Sequence, residues 1–404
     1  MKRKTKLTNT AFSTGKRRQT VVRVGSFNSR VSRPATASSK KIRYAVVGLG
    51  HIAQAAVLPA FAHAKSNSVL EGLISNDPKK QKELSRRYKV PIVGSYADYQ
   101  ELLTRRAFDA VYISLPNSMH REFVIRAAEA GVHVLCEKPL GSNEKEAQEM
   151  VAACKRNRVK LMTAYRLHFE RANLAAIQIV NSGKIGEPRY FSSTFSMQAR
   201  DPNIRLKRTM AGGPLRDLGI YCINATRYLF KAEPTEVIAL TASGDDERFR
   251  EVEEMVGATL RFPGERIANF ISSFGAADTA TYEVMGTKGS VRLENAYEYV
   301  QPIEMTITRE GKQTTRTFAK RDQFAPELVY FSKCIQNDIQ PEPSGEEGVN
   351  DLRVIDAIFD SAKRGTAIKL PSREKIKRPS LRQELQRSPI RKEPNLVKAQ
   401  PGSR

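Results

Sequence analysis

The stretch that most constrains the fold is a short apolar run that stops at a glycine-rich turn and resumes as a helix. Ile42 to Val47 is an apolar run typical of a strand buried on both faces. Gly48-Leu49-Gly50 follows, and residues 52–61 have helical character. In this G-x-G-x-x-A pattern the first glycine permits a tight turn, the second lets backbone N–H groups approach a diphosphate, and Ala53 allows close helix packing. The flanking strand and helix favour dinucleotide binding over a purely structural turn.

Strands and helices alternate from this turn to about residue 165. Further strands are predicted at 69–75, 110–115, 132–136 and 160–164, with helices between them. Alternating units with short connections predict a doubly wound parallel sheet, which binds ligands at the carboxyl ends of its strands. We therefore predict an NAD(P)-binding Rossmann domain, of class α/β, over residues 42–165.

After residue 165, strands follow one another without intervening helices. This pattern predicts a mostly antiparallel sheet and an α+β second domain over residues 166–370. Helices at 325–336 and 346–364 are expected to close that domain. The predicted strands are 189–197, 236–241, 255–262, 267–273, 281–284, 290–293 and 304–309.

The net charge of +24 is concentrated at the two ends of the chain. Residues 1–41 contain twelve Lys/Arg and no acid, and residues 369–404 contain eleven Lys/Arg and three Glu, which leaves +4 for the rest. Both ends lack periodic apolar residues, so we predict a disordered basic arm over 1–41 and a disordered basic tail over 371–404. Because aromatic residues are sparse there, solvated tails are favoured over nucleic-acid binding.

The sequence lacks the patterns expected for a secretory signal, a membrane span or a metal site. No apolar run approaches the roughly 20 residues of a membrane span, and the basic arm lacks the apolar region of a secretory signal. We expect a cytoplasmic protein, although the acid-free, Arg- and Ser-rich start also resembles an organelle transit peptide. Cys136, Cys154, Cys222 and Cys334 lack C-x-x-C spacing, which indicates reduced core thiols. No metal-ligand spacing is present, so no metal is predicted.

Lys138 comes directly after the strand at 132–136, in Cys136-Glu137-Lys138-Pro139. At the carboxyl edge of a parallel sheet its ammonium would point into the cofactor crevice. There it could donate a hydrogen bond to a substrate oxygen and stabilise negative charge on it. A surface lysine before a turn proline is the alternative, and position alone does not separate the two.

A helix predicted from Pro214 to about residue 230 carries polar residues on one face. Asp217, Tyr221, Asn224 and Tyr228 follow i, i+4, i+7 and i+11 spacing. Since solvated faces favour Lys and Glu over Tyr and Asn, the stripe favours a site over a solvated surface.

Arg166 follows the last strand of the first domain, in Tyr165-Arg166-Leu167-His168. Its guanidinium could bind a polyhydroxyl or acidic substrate, or form an interdomain ion pair, and the sequence leaves both open. For His168 a local hydrogen bond is predicted.

Four motifs occur in order: Gly48-Leu49-Gly50, residues 115–120 (LPNSMH), Glu137-Lys138-Pro139, and Gly212-Gly213 followed by Asp217 and Tyr221. Together they resemble the Gfo/Idh/MocA oxidoreductases over residues 42–370. The resemblance implies a Rossmann domain, a C-terminal domain with an open, mainly antiparallel sheet, and an active site between them. It also implies a homo-oligomer, a dimer or tetramer. Tyrosine at position 221, where many members carry histidine, agrees with the branch that acts on sugars.

The resemblance also implies residue roles. Lys138 matches the family lysine, and Asp217 and Tyr221 match the D-x-G-x-[HY] pair, whose last member transfers the substrate proton. The expected catalytic residues are these three, and the expected contacts to a sugar substrate are the same three with Arg166 and Asn224. A catalytically inert sugar- or nucleotide-sensing protein on the same fold is the alternative, and the retained catalytic residues argue against it. The expected cofactor contacts are Gly48, Leu49, Gly50, His51, Ile52, Ser75, Lys79, Lys80, Leu115, Pro116, Asn117, His120, Glu137 and Lys138.

The second strand ends at Ser75 without an acid at its tip, where NAD-preferring Rossmann folds place one. Asp77-Pro78 predicts a helix N-cap followed by proline at the first helical position. Ser75, Lys79 and Lys80 then offer a hydroxyl and positive charge to a 2′-phosphate. We therefore expect NADP rather than NAD as the cofactor.

Overall fold

The structure is a computed structural model that describes residues 40–373, 379–390 and 392–399. The predicted basic arm therefore lies outside the described residues, apart from residues 40 and 41. The strands are β1 (Ile42–Val47), β2 (Ser68–Ile74), β3 (Ile92–Gly94), β4 (Ala110–Ile113), β5 (His133–Glu137), β6 (Leu161–Ala164), β7 (Pro188–Ser196), β8 (Glu236–Ala242), β9 (Met255–Phe262), β10 (Arg266–Ser273), β11 (Thr279–Gly286), β12 (Gly289–Glu294), β13 (Ile303–Arg309), β14 (Lys312–Phe318) and β15 (Ile368–Lys369). The helices are α1 (Leu58–Ala60, which continues a π-helical turn at Ala53–Val57), α2 (Pro78–Tyr88), α3 (Tyr99–Thr104), α4 (His120–Glu129), α5 (Glu144–Arg156), α6 (Arg171–Asn181), α7 (Ile220–Leu229), α8 (Phe324–Gln336) and α9 (Gly345–Arg364).

The first sheet has six parallel strands in the order β3-β2-β1-β4-β5-β6. The predicted doubly wound sheet is thus confirmed. The strand order reverses between β1 and β4, and the glycine turn after β1 lies at this switch point. Strand β3 is only three residues long, too short to show a periodic pattern in the sequence.

The second sheet has nine strands in the order β14-β13-β12-β11-β7-β10-β9-β8-β15. Neighbouring strands are antiparallel except β7 and β10, which are parallel. The predicted α+β second domain with a mainly antiparallel sheet is confirmed. Strand β14 was not predicted from the sequence, because β14 is exposed along most of its length and lacks alternating apolar residues.

Helices α8 and α9 pack against the first domain, which differs from the expectation that they only close the second. The Tyr44 hydroxyl of β1 lies 2.8 Å from Ser332 Oγ on α8, and Asn67 Nδ2 donates to the Val329 carbonyl oxygen at 2.9 Å. On α9, a Cβ at Gly348 would lie only 2.7 Å from Leu140 Cβ, just after β5. An amphipathic pattern shows that a face is buried but not what covers it.

The described part of the C-terminal tail is ordered by specific contacts, which contradicts the predicted disorder for these residues. Gln383 Nε2 donates to the Glu342 carbonyl oxygen at 2.8 Å, and the Val397 side chain is buried among the apolar residues around β1. The overall composition of the tail does not reveal single residues, such as Gln383 and Val397, that bind to the rest of the protein.

Membrane spans and disulfides are not found in the described residues. None of the helices there combines the length and apolar surface needed to cross a membrane. The four cysteines are unpaired and buried, as predicted for core thiols.

Candidate active site

A cavity of about 620 Å³ opens at the carboxyl ends of the first sheet and faces the second domain. Its walls come from the glycine turn, from the loops after β4, β5 and β6, and from the start of α7. The structure thus brings motifs from both domains to one cleft. The predicted site residues that line it are Gly50, His51, Ile52, Leu115, Pro116, Asn117, Glu137, Lys138, Arg166, Asp217 and Tyr221.

The glycine turn has the shape that the sequence predicts. Gly48 has φ +90°, and a Cβ there would lie 2.7 Å from the Ser114 carbonyl oxygen, so only glycine fits. A Cβ at Gly50 would meet nothing within 4 Å, which leaves an open backbone surface beside the cavity. Gly48 and Leu49 are buried under the turn rather than in the cavity wall. The open backbone surface at Gly50 leaves room for a diphosphate to approach the backbone N–H groups of the turn.

Lys138 and Asp217 meet across the two domains. Lys138 Nζ donates to Asp217 Oδ1 at 2.9 Å and to the Asp217 carbonyl oxygen at 2.8 Å. Asp217 lies in a π-helical turn, Leu215–Gly219, that runs into α7. Arg205 Nε donates to the other carboxylate oxygen, Oδ2, at 2.6 Å.

This ion cluster fixes the charge state of both groups. Burial opposes ionisation of Asp217, but Arg205 and Lys138 hold the pKa of its carboxyl well below the usual range. Burial likewise opposes the Lys138 cation, but the Asp217 carboxylate raises the pKa of Lys138 above its ordinary value. Lys138 is therefore a protonated hydrogen-bond donor at neutral pH and not a base.

The Tyr221 ring lies close to two cations. Lys138 Nζ is 4.9 Å from the ring centre and the guanidinium carbon of Arg166 is 5.1 Å from it. Both charges can stabilise negative charge that develops on the phenol oxygen as its proton moves. The arrangement is suited to proton transfer between the Tyr221 phenol and a substrate oxygen that accepts a hydrogen bond from Lys138.

Arg166 is held mainly by neutral partners. Its guanidinium donates to the side-chain oxygen of Gln323 and to the carbonyl oxygen of Tyr297, and it lies 5.2 Å from the ring centre of Tyr299. Of the two alternatives left open by the sequence, these contacts favour a cavity wall group over an ion pair between domains.

Asn224 is not among the residues that line the cavity, so the structure does not bring it together with the other expected substrate contacts. Its Nδ2 donates to the Tyr228 hydroxyl at 2.9 Å and to Asp351 Oδ2 at 2.8 Å. Its side chain is therefore engaged by Asp351 of α9 rather than by the cavity. His168 is buried and contacts the Tyr228 hydroxyl, which agrees with the predicted local hydrogen bond.

His120 also differs from expectation, because it is buried behind the cavity wall. Its ring nitrogens lie 2.9 Å from the Leu115 carbonyl oxygen and 3.0 Å from the Pro139 carbonyl oxygen. His120 therefore joins the loop after β4 to the loop that carries Lys138.

Ser75 follows β2 directly, Lys79 and Lys80 lie in the first turn of α2, and all three are outside the cavity wall. The predicted N-cap is confirmed: Asp77 Oδ1 accepts the backbone N–H of Lys79 at 2.9 Å and of Lys80 at 3.1 Å, with Pro78 at the first helical position. Ser75 Oγ accepts the backbone N–H of Asp77 at 3.2 Å.

Two contributions to the cavity escaped the sequence analysis. Arg205 comes from a short 3₁₀ helix, Ile204–Leu206, and only several basic residues before Gly212 mark this stretch in the sequence. Ile390, Glu393 and Leu396 come from the tail that was expected to be disordered. Within the described ranges, no cluster of His, Cys, Asp and Glu is placed to hold a metal ion.

Comparison with known families decides the classification. Residues 42–165 match the oxidoreductase family with an NAD-binding Rossmann fold, and residues 173–292 match the GFO/IDH/MocA C-terminal domain. The chain belongs to the Gfo/Idh/MocA oxidoreductase family. This Gfo/Idh/MocA protein is accordingly a nicotinamide-dependent oxidoreductase.

Three relatives show how far this Gfo/Idh/MocA protein resembles known enzymes. A D-xylose 1-dehydrogenase [NADP(+)] of Haloarcula marismortui is 31% identical over 354 residues, covering 86% of this chain and 98% of the relative. An aldose–aldose oxidoreductase from Caulobacter crescentus, solved with glycerol, has a TM-score of 0.78 and 37% identity, covering 82% of this chain and 100% of the other. A 3-ketoreductase from Actinomadura kijaniata, solved with NADP and TDP-benzene, has a TM-score of 0.73 and 26% identity, covering 80% and 98%.

Proposed function

We propose that the protein transfers hydride between NADP and a carbon of a sugar, or of a sugar-like polyol or carbonyl compound. The observation that carries this proposal is the meeting of Lys138, Asp217 and Tyr221 in the cleft beside the glycine turn. The relatives named as a xylose dehydrogenase and an aldose–aldose oxidoreductase support a sugar substrate. The sequence around Tyr221 is also similar to that of glucose–fructose oxidoreductase.

Bound NADP would supply the hydride acceptor or donor. Tyr221 would take the proton of the substrate hydroxyl during oxidation and return it during reduction. The Lys138 ammonium would donate a hydrogen bond to the same substrate oxygen and stabilise its negative charge. Asp217 fixes the position of that ammonium, and Arg205 fixes the carboxylate in turn.

NADP rather than NAD is supported by the charge at the end of β2. The Asp77 carboxylate caps α2 and so is already engaged by backbone N–H groups. Lys79 and Lys80 follow it after Pro78. The name of the xylose dehydrogenase relative specifies NADP as well.

Reversing the charge of Lys79 and Lys80 to glutamate should raise the KM for NADP by about tenfold or more, because each contact to a phosphate is charge-assisted. The KM for NAD should change by less than about threefold. Initial rates with both cofactors measure the two values. Lys82→Glu, an exposed lysine on the same helix, is the matched control, and tighter use of NAD than NADP by the native protein would contradict the assignment.

The function itself is tested with the purified full-length protein. A co-purifying nicotinamide is sought first, and aldoses and ketoses are then screened with NADP and NAD by following the reduced cofactor. We expect turnover with at least one sugar and preference for NADP. Cofactor binding without turnover on any sugar would instead indicate a sensing protein.

We further propose a homo-oligomer, dimer or tetramer, that pairs the outer face of the second sheet. Ile238, Leu240, Ile271 and Met285 are exposed large apolar side chains of this sheet, and Leu240 is 73% exposed. Leu240 and Ile271 face the same residue of β9, Gly257, from either side, so they form one row. Such a patch is typical of an interface.

Leu240→Glu should shift the protein toward a smaller species, because it places a charge in the centre of this patch. Light scattering coupled to size-exclusion chromatography measures the mass. Thr317→Glu on exposed β14 is the control. An unchanged mass for Leu240→Glu would place the interface elsewhere.

A further inference from the structure

The C-terminal strap, defined as residues 392–399, lies across the first domain next to the cofactor cleft. Val397 is 4% exposed. Its N–H donates to Gln54 Oε1 at 2.7 Å and its carbonyl oxygen accepts from Gln54 Nε2 at 3.0 Å. Gln54 Nε2 also donates to the Leu49 carbonyl oxygen at 2.9 Å. The strap is therefore joined to the glycine turn through the Gln54 side chain, and Val397 is its apolar anchor.

The other contacts of the strap follow the edge of the sheet toward α2. Arg87 Nη1 donates to the Asn395 carbonyl oxygen at 2.6 Å, and Lys398 Nζ lies 3.3 Å from Asp77 Oδ2. On the side of the cleft, Glu393 and Leu396 line the cavity. The strap thus borders the cavity and reaches Asp77, which follows β2.

Lys398 pairs with Asp77, the acid that follows β2, and so alters which cofactor this acid favours. An acid in this region of a Rossmann fold can bind ribose hydroxyls and so favour NAD. Here Asp77 Oδ1 accepts two backbone N–H groups of α2, while Oδ2 faces Lys398. Both oxygens are engaged, and the charge of the carboxylate is matched. Lys79 Nζ lies 3.8 Å from Glu83 Oε1 on α2, so Lys80 leaves the end of β2 with one positive charge in excess.

We propose that the C-terminal strap is the outer wall of the cofactor site and that Lys398 is a specificity residue within it. Lys398 neutralises Asp77 and, with Lys79 and Lys80, favours a ligand that carries a phosphate on the adenosine 2′-oxygen. This inference rests on the proposed use of NADP. It assigns a binding role to a segment outside both family domains.

The test measures binding to the full-length protein by calorimetry, without substrate or turnover. The probes are NADP and NAD, and the fragments adenosine 2′,5′-bisphosphate and AMP. Lys398→Glu should weaken NADP and the bisphosphate by about tenfold or more, and Lys398→Ala by about threefold, since the lysine is exposed and screened. NAD and AMP should change by less than about twofold. Lys82→Glu makes the same charge change at an exposed position of α2, outside the strap, and should leave all four constants within about twofold.

The wall itself is tested by trypsin cleavage after Lys398, followed by mass spectrometry. Saturating NADP should slow this cleavage by about tenfold, because a closed site exposes the strap less often. Equal cleavage with and without NADP would overturn the assignment of the strap as a wall. Native preference for NADP that survives Lys398→Glu would overturn the role of Lys398 alone. Native protein that binds neither cofactor, or prefers NAD, would instead refute the proposed function.

Discussion

Tyr221→Phe should lower kcat by about 10²- to 10⁴-fold with the best sugar, because the substitution removes the proton that Tyr221 is proposed to transfer. The ring and its contacts with Lys138 and Arg166 remain. Cofactor affinity should change little, since Tyr221 belongs to α7 of the second domain. Steady-state kinetics and calorimetric titration with NADP measure the two effects separately.

Two further variants sharpen this test. Lys138→Ala should be similarly damaging, and the double variant little worse than either single one, because the two side chains act as a unit. Tyr190→Phe is the matched control: its hydroxyl donates to Asn269 Oδ1 at 3.0 Å within the second sheet, so turnover should stay within about twofold. Near-native turnover of Tyr221→Phe would show that another group of the cavity carries the proton.

Much of the first domain could be predicted because its signals are local. Three contiguous elements show this: the run Ile42–Val47, the glycine turn and the helix that follows. Together their sequence patterns indicate a strand, a tight turn and a helix. The meeting of Lys138 with Asp217 and Tyr221 follows from the topology, since strand ends and the crossing helix share one cleft.

The remainder depends on contacts between segments far apart in sequence. Nothing near Arg205 shows that its guanidinium binds Asp217, and nothing in the tail shows that Val397 docks on Gln54. Asn224 shares a helix with Tyr221, but periodicity gives only the angle between them and not the neighbour that each one faces. Such partners become visible only when the domains are assembled.

The helix that carries Tyr221 is itself held by a buried ion cluster. Arg227 of α7 is fully buried. Its guanidinium contacts Glu233 at 2.7 Å, Glu347 at 2.9 Å, and Asp351. Burial opposes the Arg227 cation, but these carboxylates raise its pKa well above the ordinary value, so it stays charged. Glu347 and Asp351 lie on α9, and the cluster therefore fixes α7 to the helix that also packs on the first domain.

Arg227→Met should lower the free energy of unfolding by about 3–5 kcal/mol, because it removes the cation that three buried carboxylates share. Urea unfolding followed by circular dichroism measures the loss. Arg364→Met is the matched control: its pair with Asp360 at 3.9 Å is solvent-exposed, so its loss should stay below about 1 kcal/mol.

Burial already raises the pKa of Asp351 despite Arg227, and without the cation that pKa should rise further. Protonation at acidic pH would then favour the folded variant, so the loss should be smaller at acidic than at neutral pH. A loss below about 1 kcal/mol for Arg227→Met, or one that grows on acidification, would show that the cluster does not hold α7 in place.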